Sequence, residues 1–407
     1  MKKLKLNRIF LFAVLLAALA SAHAAPSFSG AVGGSFGFDI NVPLDDRKMD
    51  FNLPLAGFTA VQVNLAEWCV VRGELAIDAT NFDFDDIFSS AQAAIKLNEL
   101  SLVFIRRAVT SSSFFSAFLG SYEQVGSDAF LMRQFGVEPI SSRLSESHTN
   151  LTGIPILSMR GAGLSYIVNF DKAPIATGAY LYFGKDDDKN WTLNLDARFS
   201  FVTNLFTMDF LAGISSPLQD KHNGEDVVLL IDTIRLHGGI NFLMGSKFGH
   251  NLLIQAGLRD IVVKGKEVVS KIGDELNFLI EPRINFNKFC ISLTGYAYDR
   301  ESLKELVYLP NDFGAAFSVY KEDVETKNGL LAFGVHFIGS LAGKSAMEFI
   351  SSPDIDDITI NAYVSPFIEV PVSPTARFEA MAQAGVCDIL GDRSLDFRLS
   401  VAARKKF

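Results

Sequence analysis

The stretch Trp191-Thr192-Leu193-Asn194-Leu195-Asp196-Ala197-Arg198-Phe199-Ser200-Phe201 decides the fold. Side chains alternate between two faces along a β-strand, so residues two apart share a face. Trp191, Leu193, Leu195, Ala197, Phe199 and Phe201 make one face wholly apolar, while Thr192, Asn194, Asp196, Arg198 and Ser200 make the other polar. A helix of the same sequence would mix the two sets on every side.

The division recurs along the chain. Leu276, Phe278, Ile280, Ile284 and Phe286 oppose Asn277, Glu281, Arg283, Asn285 and Asn287. Ile234, Leu236, Ile240, Phe242 and Met244 oppose Thr233, Arg235, His237 and Asn241. Near the start, Phe28, Val32, Phe36, Phe38, Ile40 and Val42 oppose Ser29, Ser35, Asp39 and Asn41, with small residues between them that suit tight curvature. Each segment runs about 10 residues, enough for a tilted strand to cross a bilayer. Counting them gives about 18, with 16 and 14 as alternatives, all even as single-chain barrels require.

Composition agrees. The chain is 49% hydrophobic with a mean hydropathy of +0.23, yet after residue 24 no apolar run reaches the roughly 20 residues of a membrane helix. The grease is spread over alternating strands. The expected fold is therefore all-β: a transmembrane antiparallel up-and-down β-barrel with short helical loop elements, occupying 25–407 as one domain. A soluble β-sandwich shows similar alternation, but rarely so many regular segments.

Loop lengths give an independent check, because such barrels alternate short periplasmic turns with longer external loops. Short links are expected at 66–68, 171–174, 202–204, 245–249, 286–288 and 372–375, and long polar ones at 217–227, 263–275, 299–311 and 341–356. With the C-terminus in the periplasm, all the short links fall on that side.

The first residues carry Lys2, Lys3, Lys5 and Arg8, then the apolar run Ile9 to Ala20, then Ala22-His23-Ala24. That is the layout of a secretory signal peptide over 1–24, cleaved after Ala24. The segment holds four of the 37 basic residues and none of the 46 acidic ones, leaving a net charge of −13. A chain this acidic has no electrostatic footprint for nucleic acid. Cys69, Cys290 and Cys387 lie far apart, so one bridge at most is available and no disulfide scaffold.

At the other end Phe397, Leu399 and Val401 alternate with Asp396, Arg398 and Ser400 and the sequence closes on Phe407. This resembles the C-terminal strand of bacterial outer-membrane β-barrels, whose terminal aromatic is read by the assembly machinery. The basic cluster Arg404-Lys405-Lys406 departs from the usual form. The resemblance implies an outer-membrane location in a Gram-negative-type bacterium, with membrane lipid and assembly machinery as partners.

In such a barrel the polar faces line the lumen. Opposite charges two apart on one strand, Arg72 with Glu74, Asp196 with Arg198, Glu281 with Arg283 and Arg377 with Glu379, lie roughly 7 Å apart. Arg235, His237, Arg259 and Arg398 add positive charge. These groups are expected either to set the field of a pore or to form an ion-pair network that stabilises a polar interior.

The longest stretch without alternation lies between Tyr122 and Met159 and corresponds to the third external loop, 123–158. Ser127 to Phe135 reads as a short helix, with Phe130, Leu131 and Phe135 on its apolar side and Gly136 as its stop. By its own residues it is a surface loop whose apolar positions need some packing partner. Resemblance to general porins implies instead that it folds inward, making Glu123, Arg133, Glu138 and Arg143 constriction residues. Helical spacing also appears at 85–95 and 300–307.

The histidines are scattered, and there is no zinc-binding H-E-x-x-H, nucleophile elbow, P-loop or dinucleotide fingerprint. The carboxylates of 186–188 and 352–357 read as solvated loop charge. No cofactor, metal or enzymatic activity is expected. The expected function is a channel for small hydrophilic solutes. Uptake of a hydrophobic ligand is the first alternative, although alternation from Phe28 leaves no room for an N-terminal plug. An adhesive or structural barrel is the second.

Overall fold

The computed structural model describes residues 27–43, 50–79, 94–126, 129–137, 141–145, 156–157, 160–185, 190–218, 221–222, 225–226, 233–246, 249–265, 267–268, 276–286, 289–298, 309, 313–342, 359–386 and 394–407. The expected signal segment 1–24, Glu138, Cys387 and the loop carboxylates at 186–188 and 352–357 lie outside them, as do the helical spacing at 300–307 and all but the end of that at 85–95.

Eighteen long strands form one closed antiparallel barrel. In chain order they are β1 (Ser27–Pro43), β2 (Leu55–Ala66), β3 (Cys69–Ala79), β4 (Ala94–Arg107), β5 (Ser111–Ser121), β6 (Arg160–Phe170), β7 (Ile175–Lys185), β8 (Trp191–Val202) and β9 (Phe206–Pro217). They continue as β10 (Thr233–Gly245), β11 (Asn251–Lys264), β12 (Leu276–Asn285), β13 (Cys290–Ala297), β14 (Phe313–Thr326), β15 (Gly329–Ala342), β16 (Thr359–Ser373), β17 (Ala376–Gly385) and β18 (Ser394–Lys406). Each pairs with its sequence neighbour, and β1 pairs with both β2 and β18, so no edge is left open. Phe407 extends the closing seam: its amide and carbonyl exchange 2.9 Å hydrogen bonds with Gly30, and its ring stacks on Phe28 at 5.5 Å.

Burial along each strand is the inverse of a water-soluble protein. On β8 the apolar side chains face out, with Trp191 and Leu195 more than half exposed, while Thr192, Asn194, Asp196, Arg198 and Ser200 are all buried. β9 and β12 repeat the pattern: Phe206, Phe210, Ile214, Ile280 and Ile284 face out, and Asp209, Asn277 and Glu281 are buried. A wall of exposed aromatic and branched side chains is stable only against hydrocarbon, since in water so large an apolar surface drives association. Polar groups taken inward find one another.

Both ends of the described barrel, Ser27 and Phe407, lie at the same end, together with the links of two to five residues that join β2–β3, β4–β5, β6–β7, β8–β9, β10–β11, β12–β13, β14–β15 and β16–β17; the five-residue link 186–190 between β7 and β8 is at the far end. The links at 108–110 and 327–328 escaped the sequence reading. Most links at the far end are longer. Among the described residues one short α-helix, α1 (Ala129–Phe135), matches the expected helix. The spacing at 85–95 is corrected at its end: Ile95 belongs to strand β4, where its pairing with Ile77 fixes an extended backbone.

Candidate functional site

The chain leaves β5 and turns into the barrel. Glu123 adopts the left-handed conformation (φ 46°), strained for any residue but glycine. Two wall groups hold it there: Arg198 of β8 donates to its carbonyl, and the Tyr180 hydroxyl of β7 donates to its carboxylate at 3.2 Å. Gly126 (φ 88°) completes the turn, packed so closely on Ile156 that a Cβ would collide. Val125 bridges to Leu157, closing the base of the inserted segment. Its apolar side chains Val125, Phe130, Leu131, Leu144 and Leu157 are buried with wall residues Tyr180, Tyr182, Leu211, Leu253 and Phe367 in one core. Helix α1 thus buries its apolar side inside the barrel rather than against an outer surface.

Polar bonds fix the segment to the wall at many points. The Tyr122 hydroxyl donates to Ser116, Ser142 to Glu281, and Arg283 to the carbonyl of Ser141. Asn169 and Asn277 donate to carbonyls of the segment. The two segment arginines reach furthest. Arg133 pairs with Glu99 of β4 at 2.7 Å and lies 3.6 Å from Glu123, and Arg143 pairs with Glu322 of β14 and Glu369 of β16. Burial works against the Arg133 charge, but Glu99 and Glu123 outweigh it and raise its pKa. Burial also pushes the Tyr122 phenol up.

The anchors of these arginines have a common feature. Glu99 stands directly opposite Glu74 in the β3–β4 register, and Glu369 directly opposite Glu379 in the β16–β17 register. Like charges facing across strands repel unless a cation lies between them. Arg133 docks on Glu99 of the first pair. Arg143, with Arg377 at 2.8 Å from Glu369, docks on the second.

The lumen charges lie on inner faces, but their partners differ from those the spacing suggested. Asp196 and Arg198 do not pair with each other. Arg198 forms a two-pronged ion pair with Asp209 on β9 and lies 4.0 Å over the Phe130 ring. Asp196 accepts from Tyr182 at 3.1 Å and lies 2.7 Å from His237 on β10, reaching across β9 where Gly213 leaves the space. The physical reason is that a long side chain reaches neighbours on adjacent strands, facing or one diagonal step away, as readily as the residue two along its own strand: Arg398 faces its partner Asp39, whereas Arg198 reaches Asp209 diagonally. Arg235 accordingly pairs with Asp260, Arg377 with Glu369, and Arg398 with Asp39 at 3.0 Å. Arg72 donates to Gln62, and Glu74 accepts from Asn98. Glu281 and Arg283 do pair along one strand. Arg259 continues the inward series of β11.

Asp209, Glu99, Glu322 and Glu369 were not singled out from the sequence. Asp209 was legible as the polar phase of Phe206-Thr-Met-Asp-Phe. Glu99 was hidden by the irregularity between Glu74 and Leu75 that shifts the β4 phase. Cys69 and Cys290 are free thiols.

No protein-family model matches the chain, and no curated protein matches it. Among solved structures it is similar to OmpT, an outer membrane protein of Vibrio cholerae, in its trimer form (TM-score 0.38, 9% identity, covering 94% of this chain and 100% of that one). It is also similar to OccK5 of Pseudomonas aeruginosa (TM-score 0.47, 9% identity, 94% and 98%) and to OmpF of Salmonella typhi in complex with daunomycin (TM-score 0.43, 10% identity, 94% and 97%).

Proposed function

We propose that this protein is an outer-membrane channel that admits small hydrophilic solutes through an interior narrowed by the 122–157 segment. The inverted wall carries the reading: apolar side chains face outward on successive strands while Asp196, Arg198, Asp209 and Glu281 are buried inside. An even strand count, short turns at the end holding both termini, and an exportable leader fit bacterial single-chain barrels. In this reading Glu123, Arg133 and Arg143 shape the constriction, Phe407 serves as the assembly signal, and membrane lipid and the assembly machinery are the partners. Incorporated into planar bilayers, the purified protein is expected to give stepwise conductance, and solute-loaded liposomes carrying it to swell. Absence of both would sink the channel reading.

A further inference from the structure

Inner-facing side chains are not covered equally around the barrel. All five polar residues of β8 are buried, and Arg198 among them lies beneath Phe130 of the inserted segment. On β18 the inner-facing Asp396, Arg398, Ser400 and Arg404 are only half-buried, with the Arg398 side chain 35% exposed, and Ala402 between them is buried. Across the seam, Ser35 and Asp39 of β1 and Arg72 and Glu74 of β3 are half-buried too.

The asymmetry has a cause in side-chain volume. Six of the nine tyrosines, Tyr180, Tyr182, Tyr296, Tyr298, Tyr320 and Tyr363, are buried within the arc from β7 to β16. With the segment's Phe130, Leu131 and Leu144 they fill that side. β1, β2 and β18 turn small residues inward instead, Ser35, Ala56, Ala60, Ser400 and Ala402 among them; the bulky exception is Phe58 of β2, buried beneath Arg404. Arg133 meets the wall at β4, and Arg143 at β14 and β16, so the two arginines stand on either side of this sector.

We propose that water and solute cross the barrel along one wall only, the sector β18–β1–β2–β3 that contains the closure seam, while the opposite arc is sealed, β17 included, where Met381 and Gln383 are buried. The proposal rests on the channel reading for its solute and on burial for its route. The route is polar and carries both signs: Arg398 with Asp39, and Arg72 beside Gln62. Small polar solutes of either charge, rather than one ionic class, are therefore its cargo.

The test uses the full chain with Cys69, Cys290 and Cys387 replaced by alanine, adding single cysteines at Ser35→Cys and Ser400→Cys in the open sector. Ser165→Cys and Ser292→Cys, buried on the sealed arc, are the counterparts. Folded protein is treated with charged methanethiosulfonates, and two readouts are taken: the labelling rate by mass, and conductance before and after reagent in the same variant. Rapid labelling at positions 35 and 400 with a stepwise loss of conductance, and slow labelling at 165 and 292 without loss, is the expected result. Equal labelling at all four, or faster labelling on the sealed arc, overturns the route. If labelling follows the expected pattern but no variant conducts, the route stands as a water path and the channel reading fails instead.

Discussion

Arg198 holds a positive charge where neither it nor its partner Asp209 meets solvent, their side chains being 0% and 1% exposed. Ser200 donates to the same carboxylate at 2.6 Å, so the pair is hydrogen-bonded as well as charged. Removing one member of such a pair strands the other, which costs about 3–5 kcal/mol. Asp209→Ala is therefore expected to lower the urea midpoint of the folded barrel, followed by the fluorescence of Trp68 and Trp191. An unchanged midpoint would mean that Arg198 finds another acceptor. At the same scale, the polarity of β8 announced every inward residue, but the partners lie on other strands and follow from register.

At the scale of the element, the inserted segment is held by two kinds of force. An apolar core around Phe130, Leu131 and Leu144 excludes water, and two arginines relieve facing glutamate pairs at the segment's margins. With Arg133→Gln and Arg143→Gln combined, both glutamate pairs lose a cation and the segment's edges loosen. Single-channel current is expected to become larger and noisier, with high salt shifting the wild type the same way by screening. Identical current and noise would assign the hold to the apolar core alone. The helix in this segment was readable from its spacing, whereas the surface that buries it was not, since an amphipathic helix packs equally well outside or inside.

For the whole molecule, closure decides what the lumen charges can do. Arg198–Asp209, Arg235–Asp260, Arg283–Glu281, Arg377–Glu369 and Arg398–Asp39 each compensate locally. Fields of such pairs fall off quickly, so the pore is expected to discriminate weakly between ions of opposite sign. Reversal potentials in a salt gradient would check this, with a cation-to-anion permeability ratio within a few-fold of one as the expected outcome. A strongly ion-selective pore would show that unpaired charge controls the path.

The sequence by itself determined the barrel, because a period of two places each side chain on the lipid or lumen face regardless of what the rest of the chain does. Most of the turns and many of the inward-facing residues were legible in the same way. Only the tertiary structure decided which charges meet, where the Tyr122–Leu157 segment goes, and which wall stays open. Those depend on distances between strands far apart in sequence, as with Arg143 and Glu369, and on whether large or small inner residues share a sector. No local spacing carries that information.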